Sequence, residues 1–294
     1  MAEMLRQQLK EVGSKFQNPP STKDSLLQLL EQAETSLAEV GQSPPAPLLE
    51  SLQPFMEAIV KPELLKHEDG DVKLLVARCV CEITRITAPE APYSDEVLKD
   101  IFCLIVSTFS GLNDINDPSF GRRVVILDTL AKYRSCVVML DLECDDLVNE
   151  MFHSFLLLPG EYCSLVVISD DHPENVLSSM QTIMVVLLEE SEEVKGDLLL
   201  IILSMLGRDK TNLSKAAEKL AMNVIEQCAE TLKAEIKQFL ITSMSGESKS
   251  ANSDIDYHKV IYNIYCCAPH ILTGVVPYIT GELSVFSYLI AHVS

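Results

Sequence analysis

The chain has 294 residues, 47% of them hydrophobic, with 11 glycines and no tryptophan. It is long enough for one large domain or two ordinary ones, and too poor in glycine for a turn-rich β architecture. With 23 basic against 43 acidic residues the formal charge is −20, which disfavours direct, strong nucleic-acid binding and favours basic peptides or basic patches on partner proteins.

The opening stretch MAEMLRQQLKEVGSKF (1–16) is polar and lacks the apolar core of a signal peptide. VGQSPPAPLLESL (40–52) reads as a linker in which Pro44, Pro45 and Pro47 precede a helix. After Asp71, apolar residues recur at Val72, Leu75, Val76, Cys79, Val80, Ile83 and Ile86, with Lys73, Arg78, Glu82 and Arg85 on other faces. After Ser94 the same period carries Val97, Leu98, Ile101, Phe102, Ile105, Phe109 and Leu112, and after Asn212 it carries Leu213 through Cys228. Asp71, Ser94 and Asn212 are the expected caps. No segment alternates with period two for long enough to make a strand, so the fold class is all-α.

Between the helices at 71 and 94 lies ITAPEAPYS, in which Pro89 and Pro92 each fix their own φ and push their predecessors out of the helical region. The connector is therefore stiff and extended, more so than a helix-to-helix turn requires. Acidic residues open apolar helices at Asp71, Asp117, Asp171 and Asp209, at spacings of 46, 54 and 38 residues, with room for one further helix in each interval. That is the layout of HEAT or armadillo units, about 40–47 residues of paired helices stacked into a solenoid of five to seven pairs. Helix starts are expected within a residue or two of Asp71, Asp117, Asp171 and Asn212.

FLLLPGEYCSLVVISDDHP (155–173) is apolar where a short polar connection belongs and reads as an insertion at about 156–169. SMSGESKSANSD (243–254) is a polar loop. The longest apolar runs, such as LLLIILSML (198–206), are far shorter than the ~20 residues of a bilayer span, so no membrane association is expected. The nine cysteines are odd in number and mostly sit in apolar helical pattern, as reduced thiols of an intracellular chain would.

No catalytic constellation assembles from these residues. Cys79 and Cys81 diverge at i and i+2 on a helix, and Cys266-Cys267 lacks a second ligand pair at metal spacing. The Asp170-Asp171-His172 run before Pro173 reads as helix capping, and Asp141, Glu143, Asp145 and Asp146 read as a solvated loop. Phosphate loops, a nucleophile elbow and a His-Glu-x-x-His pair are missing from the sequence. The expectation is a binding protein, not an enzyme, without metal or other cofactor.

LLKHEDGDVKLLVARCVCEITRITAPEAPYSDEVLKDIFCLIVSTFSGLND (64–114) resembles the N-terminal HEAT region of the cohesin-associated sister-chromatid-cohesion family named for precocious dissociation of sisters, in its plant branch. The likeness continues through FGRRVVILDTLAKYRSCVVMLDLE (120–143), HPENVLSSMQTIMVVLLEES (172–191), NLSKAAEKLAMNVIEQC (212–228) and IYNIYCCAPHILTGVVPYITGELS (261–284). It implies a nuclear, chromatin-associated regulator of sister chromatid cohesion, also tied to DNA repair, that rides on the kleisin subunit of cohesin. It further implies a docking pocket at Ala88, Pro89, Glu90, Ala91 and Pro92, with Tyr93 beside it, for short aromatic-Ser-Arg motifs of cohesin release and acetylation factors. Glu90 stands where many relatives have Asp. Tyr93 and the proline rings are expected to offer a flat apolar surface, and Glu90 to face the ligand's arginine.

Residues 1–284 thus form the expected HEAT solenoid and 285–294 (VFSYLIAHVS) a tail outside the family pattern. Both that tail and the 156–169 insertion are expected to pack less well than the helices. Family members continue through further repeats, which usually carry the kleisin contact, so the chain reads as a truncated version. The competing readings are a generic acidic HEAT adaptor of the transport or phosphatase-scaffold kind, and an inactive short isoform.

Overall fold

The computed structural model describes residues 2–156, 168–192, 196–207, 214–244, 257–268 and 271. Among them every regular element is helical, and the chain divides into two compact units, Met1–Val148 and Asn149–Ser294.

The first unit is built from α1 (Ala2–Phe16), α2 (Lys23–Ala38), α3 (Ala46–Ile59), the single turn α4 (Pro62–Leu65), α5 (Gly70–Thr87), α6 (Asp95–Thr108), α7 (Phe120–Tyr133) and the short α8 (Val138–Asp141). α2, α5 and α7 pack side by side in one layer; α1 packs on α3 and α4 on α6 in the other. α5 sits between α2 and α7 and also packs on α3, α4 and α6 of the other layer, which is why it buries almost its whole circumference, from Val72 to Ile86. Gly13 lets α1 and α3 meet closely, since a Cβ there would stand 3.1 Å from the Phe55 nitrogen. Beside it the Phe16 and Phe55 rings meet edge to face at 4.8 Å, both fully buried.

α9 (Asp145–Leu156) leads into the second unit, which holds α10 (Glu174–Glu190), α11 (Gly196–Gly207), α12 (Lys215–Gln227), α13 (Ala229–Met244) and α14 (Tyr257–Cys267). α12 packs against α10 and α14, and α11 against α12, α13 and α14. Met180, Ile183, Met184 and Leu187 on α10 and Ala217, Leu220, Ala221 and Val224 on α12 are buried, the i, i+3, i+4, i+7 stripe of a core-facing helix.

The repeat shows directly in the side-chain hydrogen bonds that tie one helix pair to the next. Arg85 to Val40 and Ser43 to Ala88 span 45 residues, Ser214 to Ile168 spans 46, and Asn223 to Gln181 spans 42. These separations are one helix pair long and match the expected unit of paired helices.

α5 begins one residue from Asp71 and Ser94 is the cap of α6, as expected, but other caps differ. The cap of α5 is Asp69, whose carboxylate accepts from the Asp71 and Val72 nitrogens; Asp71 already lies in the first turn. His-Glu-Asp-Gly-Asp offers two candidate caps two residues apart, and only Asp69 precedes the helical backbone that begins at Gly70. Asp117 stands three residues before α7 and accepts instead from the Ser119 nitrogen at 2.6 Å, closing the turn that leads into the helix. Asp171 likewise stands three residues before α10, where Pro173 holds the cap position. The neighbouring Asp170 caps a different helix, accepting from the Ala216 nitrogen at the start of α12. Asn212 and Asp209 lie outside the described residues, as do 157–167 of the suggested insertion and the whole 285–294 tail. Ser214 caps α12 by accepting from the Ala217 nitrogen.

Arg78 and Glu82, placed by the helical period on faces other than the apolar stripe of α5, are interior as well. Both are buried, and they pair with each other across one helical turn. Glu82 also takes the Arg85 Nε at 2.6 Å, Arg78 reaches Glu34 on α2 at 3.4 Å, and Arg122 on α7 reaches the other Glu34 oxygen at 3.3 Å. One chain of alternating charges therefore crosses the α2–α5–α7 layer.

Candidate functional site

The site grows from the way adjacent pairs close each other's helix ends. The last carbonyls of a helix have no intrahelical donor and need partners. At the end of α2, Arg85 of α5 donates to the Leu37 carbonyl at 3.2 Å and to the Val40 carbonyl at 2.7 Å. At the end of α5 the debt runs the other way, to the connector between α2 and α3. The Ser43 nitrogen donates to the Ile86 carbonyl at 2.9 Å, and the Ser43 hydroxyl and Gln42 amide donate to the Ala88 carbonyl at 3.0 and 3.3 Å. Each such bond contributes about 0.5–1.5 kcal/mol, more where the guanidinium is the donor. Ser43 reaches both carbonyls from a left-handed backbone, φ 49°.

The connector from α5 to α6 is held against this brace. The Ala88–Pro89 peptide is cis, and the Glu90 nitrogen closes back on the Thr87 carbonyl at 3.0 Å. At its far end the Tyr93 hydroxyl donates to the Met56 carbonyl on α3 at 3.1 Å. The ring is half-buried, and burial pushes its phenol well above the usual range.

Between the two connectors and α3 lies a groove of about 350 Å³. Leu49, Gln53 and Met56, at i, i+4 and i+7 on one face of α3, form one wall. Pro89, Glu90, Ala91 and Pro92 form the opposite wall, Ser43 and Pro44 close one end, and Ile86 and Thr87 line the base. Pro89, Glu90 and Ala91 are exposed, Ala88 and Pro92 half-buried. Rigid proline rings, an aliphatic face and an exposed carboxylate on the rim are what an aromatic side chain beside a cation requires.

Of the six residues picked out from the sequence, Pro89, Glu90, Ala91 and Pro92 line the groove. Ala88 supplies the carbonyl that fixes the loop to the preceding connector. Tyr93 is not among the groove-lining residues; its hydroxyl, donating to the Met56 carbonyl, ties the loop to α3. The α3 face and the Ser43-Pro44 end went unforeseen. A spacing of i, i+4, i+7 after the 44–47 prolines marks the α3 face, but nothing in the sequence says that the next connector lies across it.

Four of the cysteines serve packing. Cys79, Cys81, Cys136 and Cys228 are buried free thiols, and burial pushes Cys81 up to about 12. Among the described residues no group of three or more His, Cys, Asp or Glu is placed to hold a metal ion.

The fold and the comparisons agree on the class, an α-helical repeat protein. A family model for sister chromatid cohesion protein PDS5 matches residues 24–288, and the chain belongs to that family. Sister chromatid cohesion protein PDS5 homolog A of Arabidopsis thaliana is 62% identical over 283 residues, 96% of this chain and 17% of that protein. Homolog C of the same plant is 46% identical over 262 residues, 89% of this chain and 28% of its own length. Human PDS5 homolog A is 32% identical over 223 residues, 74% of this chain and 16% of that one. The chain thus spans less than a third of the length of these relatives. A solved structure of the Pds5–Scc1 complex has the same fold, with a TM-score of 0.70 at 23% identity over 90% of this chain and 40% of that one.

Proposed function

We propose that the chain is a non-catalytic scaffold of the cohesin-regulator type, nuclear and chromatin-associated, acting in sister chromatid cohesion and DNA repair. Its groove between α3 and the Ala88–Pro92 connector docks short aromatic-Ser-Arg segments of the factors that release or acetylate cohesin. One observation carries the reading: the exposed Glu90 lines one groove together with Pro89, Pro92, Leu49 and Met56. An aromatic ring fits against Pro89, Pro92 and the Leu49–Met56 face, while the arginine pairs with the Glu90 carboxylate. The strongly acidic chain favours such basic ligands at longer range. The relatives' part in sister chromatid cohesion supports the cellular setting, and the likeness to a Pds5 bound to Scc1 supports a contact with the kleisin subunit.

The decisive measurement is binding of a fluorescent aromatic-Ser-Arg peptide to the wild type and to Glu90→Lys, with thermal melts alongside. A charge-assisted contact contributes about 1.5–3 kcal/mol, so reversal should weaken binding by one to a few orders of magnitude and leave the melt unchanged. Equal affinity of the two proteins, or no binding by the wild type, rejects the docking site. Recovery of cohesin subunits with the chain from nuclear extract tests the wider assignment.

A further inference from the structure

Resting on the docking reading, we propose that Ser43 is a phosphorylation site through which a proline-directed serine/threonine kinase loosens one end of the groove. Ser43-Pro44 is the sole Ser-Pro or Thr-Pro dipeptide in the 294 residues. Ser43 is exposed, in a segment without helical backbone, and both Ser43 and Pro44 line the groove. No Lys or Arg follows until Lys61, so the dipeptide itself is the recognition element.

The hydroxyl is not idle. It donates to the Ala88 carbonyl at 3.0 Å, and the same residue's nitrogen donates to the Ile86 carbonyl at 2.9 Å. In the transfer, the Ser43 oxygen attacks the γ-phosphorus of Mg·ATP. The new O–P bond forms as the bond to the β–γ bridging oxygen breaks, ADP leaves, and the hydroxyl proton passes to the kinase's base. The esterified oxygen then has no proton to give, and the phosphate is an acceptor-only group of roughly −1.5 to −2 charge. It faces the Ala88 carbonyl it once served and shares the groove with Glu90. Attraction and capping become repulsion.

The backbone helps the modification along. A kinase binds its acceptor extended, whereas Ser43 holds φ 49°, a region non-glycine residues seldom occupy. Opening the connector relieves that conformation, the open form is the one that reacts, and the phosphate keeps it open. A phosphate also attracts the ligand's arginine, but it draws that arginine away from Glu90 and does not replace the lost Pro44 end of the groove.

The test treats the chain with a cyclin-dependent kinase and Mg·ATP and maps the product by mass spectrometry, beside a synthetic peptide spanning 38–49. Ser43 should be modified in both, more slowly in the folded chain, and not in Ser43→Ala. Modified chain should bind the aromatic-Ser-Arg peptide at least about tenfold more weakly, and Ser43→Ala, which loses only the hydroxyl, about two- to threefold more weakly. Amide exchange at Ala88 and Glu90 should accelerate on modification. Labelling of the free peptide but not of the chain overturns the proposal, and so does equal or tighter binding by the modified chain. If unmodified chain binds no peptide, the docking reading fails alone. Faster exchange at Ala88 and Glu90 then still upholds the switch, and unchanged exchange overturns it.

Discussion

In the first unit, links about one repeat apart include charged ones: Glu34 pairs with Arg78, Arg122 joins it from α7, and the Arg85 guanidinium serves the carbonyls at the end of α2, beside the neutral Ser43 and Gln42 bonds to Ala88. Among the described residues of the second unit, neutral hydrogen bonds make links of this kind. Asn223 donates to Gln181, Ser214 to the Ile168 carbonyl, and the buried Asn263 to the Leu206 carbonyl at 2.9 Å, while the Asp170 cap on α12 is charged. The two chemistries differ in how they fail. A buried charge stripped of its partner stays buried and unfavourable, so the ionic layer works as a set. A lost amide forfeits about its own hydrogen bond, so the neutral links fail one at a time.

The contrast is broken most forcefully at Arg78. Arg78→Met leaves the buried Glu82 and the half-buried Glu34 with one fewer cation, and should destabilise the chain by about 3–5 kcal/mol in urea denaturation. Combining it with Glu34→Met should return much of that loss; a double variant no better than the single one would show that the charges are not acting together. In the second unit, Asn263→Ala should cost about 1–3 kcal/mol, and Gln181→Ala should add to it without coupling. A strongly non-additive pair there would erase the distinction between the units.

The smallest effect is an acid one. The Ser119 N–H, followed by nearby Arg123, holds the Asp117 carboxyl below its usual range. A depressed carboxylate stabilises the fold above its unfolded value near 3.8, and that contribution vanishes as pH falls through the lower folded value. Melting temperature should therefore drop slightly more between pH 5 and about 3 for the wild type than for Asp117→Asn. Parallel curves would show that the turn before α7 draws nothing from this charge.

Much of this was legible in the residues. Val72, Leu75, Val76, Cys79, Val80, Ile83 and Ile86 were assigned inward by their spacing, and all are buried. The prolines of the Ala88–Pro92 connector marked it as non-helical, but the extended course expected of it begins instead with a turn, in which the Glu90 nitrogen closes back on the Thr87 carbonyl. The partners were not legible. Helical period places Arg78 away from the main stripe, but only the packing of α2 and α7 against α5 reveals that this side is also interior. Glu34 and Arg122 each lie 44 residues from Arg78, one to either side, beyond the reach of any local pattern. The same holds for the groove: one wall is written in the prolines, and the end at Ser43 belongs to the preceding connector.

That shared authorship has a geometric consequence. Because the groove is framed by consecutive connectors, each tied to the other's helix end, its width is a function of pitch between two neighbouring helix pairs. A rotation of α2 against α5 by a few degrees displaces Ser43-Pro44 relative to Pro89–Pro92, so the groove gauges local curvature. A side chain seated there acts in return as a shim that fixes the angle at which the next pair departs.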